Sequence, residues 1–343
     1  MVWAAMGSIP VMALVLGLVA ASIFMQSPVH GYAGGEGLVI VVTFPSLADD
    51  VAQLVCNDTV VPLVPPGADP HTYHLKPGDV ELLKNADLVV STRHTFLELG
   101  IRELKERGLV KGRLIELPGI PGVTLLRNPE TNNINLHMPI YDLDNYRRFV
   151  MNISVELMLL NPRQASCYAE RLGEVLSRVS SLYRYWGAFK LRAVADLPFT
   201  QYAVSWMGVE VEHLVLAEHG LELSPRHLQS IEQELSSGSV DLVLVSSPSE
   251  HYASKWLEGA AARYGVPVVY IPTPMTRGSV VDKLEYVLEQ LLHLEATSTP
   301  PPNRGVFSFT YSENARYILA ASYASAAVIV LLIYIARSRG GAF

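Results

Sequence analysis

Cysteine is nearly missing from this chain of 343 residues: there are two, Cys56 and Cys167. Two are too few for a disulfide scaffold, and without a C-x-x-C pair they offer no zinc knuckle and no dithiol redox centre. They read as two isolated buried thiols, with a single bridge as the alternative outside the cytoplasm. H-E-x-x-H and G-x-S-x-G are also missing, so two common hydrolase signatures are excluded. Basic charge is in short supply: 26 Lys and Arg face 33 Asp and Glu, giving a net charge of −7, which argues against a nucleic-acid binder. Charge of either sign is modest at 17%, but half of the residues are apolar, so the chain is not disordered.

A mean hydropathy of +0.25 is high for a chain wholly in water. The surplus lies at the two ends. Residues 1–35 contain no Asp, Glu, Lys or Arg, and Ile9 to Met25 is almost wholly apolar. This is an export signal, with Gly31-Tyr32-Ala33 as a small-x-small cleavage site, or a retained N-terminal anchor. At the other end, Tyr317 to Ala336 carries no charge and is followed by Arg337 and Arg339. Its 20 residues, at about 1.5 Å each, just cross a hydrocarbon core of about 30 Å, and the trailing arginines place residues 337–343 in the cytoplasm and the body outside. Between body and span, residues 296–316 begin ATSTPPPNR, the composition of an extended spacer.

The body alternates apolar runs with amphipathic stretches, the pattern of α/β layers. Strands are expected at Leu38 to Thr43, Val60 to Val64 and Asp87 to Ser91. A second set is expected at Leu191 to Ala195, Val211 to Leu216, Asp241 to Ser246 and Val266 to Ile271. Two lobes follow, residues 36–161 and 191–295. Between them, residues 162–190 carry an apolar stripe from Tyr168 to Trp186 at steps of three and four, predicting one rigid helix of about seven turns.

Chemistry concentrates in VPPGADPHTYHLKPGD, from Val64 to Asp79. Its prolines and glycine fix an irregular backbone, while Asp69, His71, Tyr73 and His74 crowd polar groups into six residues. An imidazole oriented by a nearby carboxylate is a prepared metal ligand; an ordinary turn with surface histidines is the bland alternative.

The run GADPHTYHLKPGDVELLKNADLVV resembles the signature of the zinc- and manganese-type solute-binding proteins that serve ABC transporters. VVTFPSLADDVAQLV is similar to that family's opening strand and helix, and Leu97-Glu98 falls at its leucine-glutamate pair. The resemblance runs from about Leu38 to Leu292. It implies two Rossmann-like lobes joined by the long helix, with one metal ion between them. It implies His71 as first ligand, His137 of LHMPIYDLDNYRRF as second, and Asp196, three residues before Phe199, as third. The fourth position fails to match, because YIPTPMTRG (Tyr270 to Gly278) has no carboxylate. His94 is the expected replacement, its loop leaving a strand on the same edge as His71; Glu250, His251 or water are the alternatives. His74 reads as a flanking cleft residue, and His213, His219 and His227 as solvent-facing or structural.

Two histidines and a carboxylate suit zinc, manganese or iron(II), and a third nitrogen favours zinc. The resemblance thus implies a monomeric extracytoplasmic receptor, not an enzyme, which passes a divalent metal to an ABC permease; the apolar run Tyr317 to Ala336, outside the resemblance, adds a C-terminal transmembrane anchor. A surface zinc hydrolase using the same histidines, with Glu98 as the one tempting base, and a metal-binding adhesin are the rivals. Sequons stand at Asn57 and Asn152.

Overall fold

The computed structural model describes residues 37–218 and 224–297. The export segment, the spacer beyond Thr297, the span Tyr317 to Ala336, the tail 337–343 and His219 lie outside the described residues. Among the described residues, no helix is long and apolar enough to cross a membrane.

Leu38 to Val42 is buried on both faces, as a β-branched central strand requires. It forms β1 (Val39–Val42), followed by α1 (Pro45–Ala52), β2 (Thr59–Pro62), α2 (Pro77–Asn85), β3 (Leu88–Ser91), α3 (Phe96–Glu106) and β4 (Arg113–Glu116). The four strands are parallel in the order β2-β1-β3-β4. β4 is absent from the expected strands: it reads Arg-Leu-Ile-Glu, with charge at both ends, as edge strands do. The second lobe repeats the plan with β5 (Leu191–Ala195), α6 (Phe199–Ser205), β6 (Val209–Leu214), α7 (Pro225–Ser237), β7 (Leu242–Ser247), α8 (Tyr252–Tyr264), β8 (Val268–Pro272) and α9 (Val280–Thr297). These strands are also parallel, in the order β6-β5-β7-β8. The last helix runs two residues into the expected spacer.

Between the sheets lies a helical hairpin, α4 (Leu143–Leu160) and α5 (Ala165–Leu182). The expected seven-turn helix is thus five turns, about 27 Å at 1.5 Å per residue. Its apolar stripe persists beyond Leu182 because Tyr183 and Trp186 stack at 5.6 Å, but the backbone there is a 3-10 turn ended by Gly187 at φ +64°. Asn152 sits within α4, with Ile153 and Ser154 fully buried, so that sequon is no surface loop; Asn57 is exposed in one.

Cys56 and Cys167 are bonded to each other, with Cα atoms 6.4 Å apart, which corrects the reading of two free thiols. Periodicity gave no sign that the loop after α1 lies against the start of α5, where the Tyr168 hydroxyl also donates to Asp58 Oδ1 at 3.1 Å. A bridge of this kind suits a protein matured outside the cytoplasm.

One apolar interior crosses the molecule. Ile40 and Val42 of the first sheet, Tyr146 and Phe149 of α4, Val179 of α5, Ala193, Leu244 and Ile271 of the second sheet, and Leu284 of α9 belong to a single buried cluster. Polar ties reinforce it. Asp50 Oδ1 accepts from the Val280 amide at 2.7 Å and from the Tyr146 hydroxyl at 3.0 Å, and Asp49 Oδ2 accepts from the Gly278 amide at 2.7 Å. Burial raises the Asp50 carboxyl and lowers the Lys283 ammonium. Lys283 donates to the carbonyls of Thr273 at 3.0 Å and Thr276 at 2.9 Å, fixing the loop after β8.

Candidate metal centre

The loops leaving the carboxyl ends of the parallel strands meet between the two lobes, where open α/β sheets bind ligands. They enclose a cavity of about 640 Å³ lined in part by Phe44, Pro198, Phe199 and Met275. Three histidines converge there. His71 comes from the loop after β2, His94 from the turn after β3, and His137 from the long connection between β4 and α4. Their ring centroids are 5.4 Å (His71 to His94), 6.3 Å (His71 to His137) and 4.0 Å (His94 to His137) apart. One nitrogen from each lies within 4.8 Å of the others, close enough for one ion to bind all three.

Each is held by local chemistry. Asp69 Oδ1 accepts from the His71 amide at 2.9 Å, so this aspartate aims the backbone that carries the ring. His94 depends on Glu98. That carboxylate is only 1% exposed and accepts from the amides of Thr92 (2.6 Å), His94 (2.7 Å) and Thr95 (3.0 Å), and from the hydroxyls of Thr43 and Thr92 at 2.8 Å. It also closes a capping box with Thr95 at the start of α3. So occupied, it cannot serve as a general base, which removes the one candidate a hydrolase had.

His137 has its tautomer set for it. Asn135 is fully buried, and its Nδ2 donates to the Pro198 carbonyl at 2.9 Å and to Gln201 Oε1 at 3.0 Å. Its Oδ1 therefore faces His137, accepting from the amide at 3.0 Å and from ring Nδ1 at 3.1 Å. With the proton on Nδ1, the ligating lone pair is on Nε2.

Asp196, expected as third ligand, does not join this cluster. It is fully buried, with Oδ2 accepting from the Ser246 amide (2.7 Å) and the hydroxyls of Ser246 and Ser254 (2.5 Å each), and Oδ1 from the Leu197 amide (2.7 Å). Burial raises its pKa against those bonds. Its side chain points into the second lobe, where it shapes the turn leading to Pro198 and Phe199. Glu250 and His251 line the cavity but are not part of the three-histidine cluster, and His251 Nδ1 accepts from the Ala253 amide at 3.2 Å to cap α8. His74 is exposed.

Among the described residues, a carboxylate that does approach is Glu218, unnoticed in the sequence. It follows β6, and its Oε2 is 3.9 Å from His137 Nε2. Burial raises its pKa. Its only signal was its place after a strand end, and the expected strand ran two residues too far, to Leu216.

The chain matches the family model described as zinc-uptake complex component A, periplasmic, over residues 40–291. No curated protein matches it. Among solved structures, the solute-binding protein FpvC of Pseudomonas aeruginosa in complex with Mn2+ is similar at TM-score 0.59 and 22% identity, covering 75% of this chain and 99% of that one. The Mn-bound periplasmic metal-binding protein of Candidatus Liberibacter asiaticus follows at TM-score 0.59 and 17% identity, covering 75% and 99%. A crystal structure of ZnuA gives 0.58 and 20%, covering 76% and 98%. These likenesses establish the shared fold of two parallel-sheet lobes. The family model spans nearly the whole described body, and the chain belongs to the periplasmic component A family of zinc-uptake complexes, which are metal-binding proteins and not enzymes.

Proposed function

We propose that this chain captures a divalent transition metal, zinc before manganese, outside the cytoplasm and delivers it to an ABC permease. The observation that carries the reading is the convergence of His71, His94 and His137 in the cleft between the lobes. Three imidazole nitrogens with one carboxylate form a four-coordinate set of borderline softness, which suits zinc better than an all-oxygen site would. Glu218, whose Oε2 is 3.9 Å from His137 Nε2, is the fourth ligand in this reading. Asp196 is the support beneath the Pro198 turn.

The chain is held at the membrane by Tyr317 to Ala336, and the Pro-rich spacer lets the body reach a permease alongside. The test is zinc titration of the metal-stripped full-length protein. His71→Ala, His94→Ala and His137→Ala should each abolish the tightest bound equivalent, and Glu218→Gln should weaken it. Unchanged affinity and stoichiometry in all three histidine variants would sink the assignment. For the tether, a chain ending before Tyr317 should leave the membrane fraction; if it stays, the span is not the anchor.

A further inference from the structure

A second group of metal-ligating side chains stands apart from the cleft. Glu130, His213 and His227 bring one oxygen and two nitrogens within 4.8 Å of one another. Glu130 lies on the long connection that carries His137, His213 on β6 and His227 in the first turn of α7. Of the two readings of His213 and His227, solvent-facing or structural, the structure selects the second; Glu130 is 83 residues from His213 in the chain, and no local spacing shows the three together.

The outer hydrogen bonds fit a metal site closely. His213 points Nδ1 at Glu130 Oε1 (2.8 Å) and Nε2 at Glu234 Oε1 (3.1 Å). His227 donates from Nε2 to the Leu214 carbonyl at 2.8 Å and points Nδ1 at Glu130 Oε2, 3.6 Å away. On each ring Nε2 has an acceptor of its own, and both Nδ1 atoms face one carboxylate, so a metal ion that displaces the proton between His213 Nδ1 and Glu130 would meet two ring nitrogens and an oxygen. That is how ligating histidines are prepared: the far nitrogen is tied to a carboxylate or carbonyl, which fixes the tautomer and orients the ring. The carboxylate is itself positioned. The Leu214 amide donates to Glu130 Oε1 at 3.1 Å. Asn128, 1% exposed, accepts from the Glu130 amide at 2.9 Å and donates to the Ala217 carbonyl at 2.6 Å.

We propose that Glu130, His213 Nδ1 and His227 Nδ1 form a second, structural divalent-metal site that takes zinc and clamps the connection bearing His137 onto β6 and α7. Two nitrogens and one carboxylate leave a fourth position for water. The metal joins a segment from the first half of the chain to the second lobe, and the element it braces runs on through Asn135 to His137. Occupancy here therefore orders one ligand of the cleft site without touching the cargo.

The competing occupant is a proton on His213, which the two glutamates favour. Zinc binding to the metal-stripped, full-length protein in detergent separates the two. His71→Ala/His94→Ala, which disables the cleft and leaves this connection untouched, should retain one equivalent of zinc. Cobalt in its place should give the visible absorption of a low-coordinate site. Adding His213→Gln and His227→Gln should weaken that equivalent at least 100-fold, with circular dichroism confirming the fold. Glu130→Gln, which keeps an acceptor for Leu214, should weaken it by a smaller factor and serves if the double change fails to fold. If the cleft-disabled protein binds no zinc, or binds it equally well in the His213→Gln/His227→Gln and Glu130→Gln forms, the cluster is a proton-bridged ion pair and the proposal is overturned.

Discussion

Removing the Cys56 to Cys167 bridge should cost this protein a large part of its stability. The two residues are 111 positions apart, and the bridge closes that loop in the unfolded chain as well as in the folded one. Chain-entropy arithmetic for a loop of this length gives about 5 kcal/mol at 25 °C, and measured bridges commonly contribute about 2–4 kcal/mol. Against a typical total of about 5–15 kcal/mol, Cys56→Ser/Cys167→Ser is expected to remain folded but marginal. The assay is urea unfolding followed by tryptophan fluorescence. Trp206, 3% exposed and 6.4 Å from Trp186, reports on the junction between the hairpin and the second lobe. With a denaturant slope of about 1–3 kcal/mol per molar, the midpoint should fall by about 1–2 M. A fall below about 0.3 M, or two thiols that react in the native protein before any reductant is added, would refute the reasoning.

Three further outcomes follow from the site and its supports. Glu98→Gln places an amide among donors that all need an acceptor, so zinc affinity should drop about 10-fold or more and stability by about 2 kcal/mol, by calorimetric titration and thermal melting. Asn135→Ala frees the His137 tautomer and should weaken cleft zinc binding by about 10-fold; unchanged affinity would show that Asn135 only packs. Asp142 caps α4, accepting from the Asp144 and Asn145 amides, and burial first of all lifts its pKa to about 6. Because the folded value lies above 3.8, the native state holds the proton more tightly than the unfolded one, so this group's contribution to stability falls as pH rises from about 4 through about 6. Asp142→Asn, which also caps a helix, should therefore gain on the wild type over that window by at most about 3 kcal/mol; a difference that does not change with pH refutes the shift.

Much of the architecture was legible in the sequence because parallel strands buried on both faces must be written as apolar runs, and Leu38 to Val42 and Leu242 to Val245 are such runs. His71 could be singled out because prolines and a glycine around it fix the loop. His94 could be named because the turn after β3 must open on the same sheet edge. What failed depended on direction or on distant pairing. The spacing before Phe199 placed Asp196 at a strand end, but only the structure shows that its carboxylate turns inward to Ser246 and Ser254. Glu218 was hidden by a strand end read two residues late. The disulfide joins residues 111 positions apart, and Glu130 is 83 positions from His213, separations at which sequence periodicity carries no information. The seven-turn helix was overextended because a stripe of side chains can continue after the backbone that began it has changed.

The continuous interior that joins the two sheets through α4 and α5 has a consequence for how a loaded receptor is told from a free one. Swinging one lobe against the other would expose Tyr146, Phe149 and Leu284 to water, at about 25 cal/mol for each Å² uncovered. In the proposed function, metal binding therefore acts on the rim residues His71, His94 and His137 and leaves the packing of the two lobes in place. Under the proposed function a permease would have to read a patch a few residues wide, and solution scattering of the metal-bound and metal-free forms should be nearly superimposable.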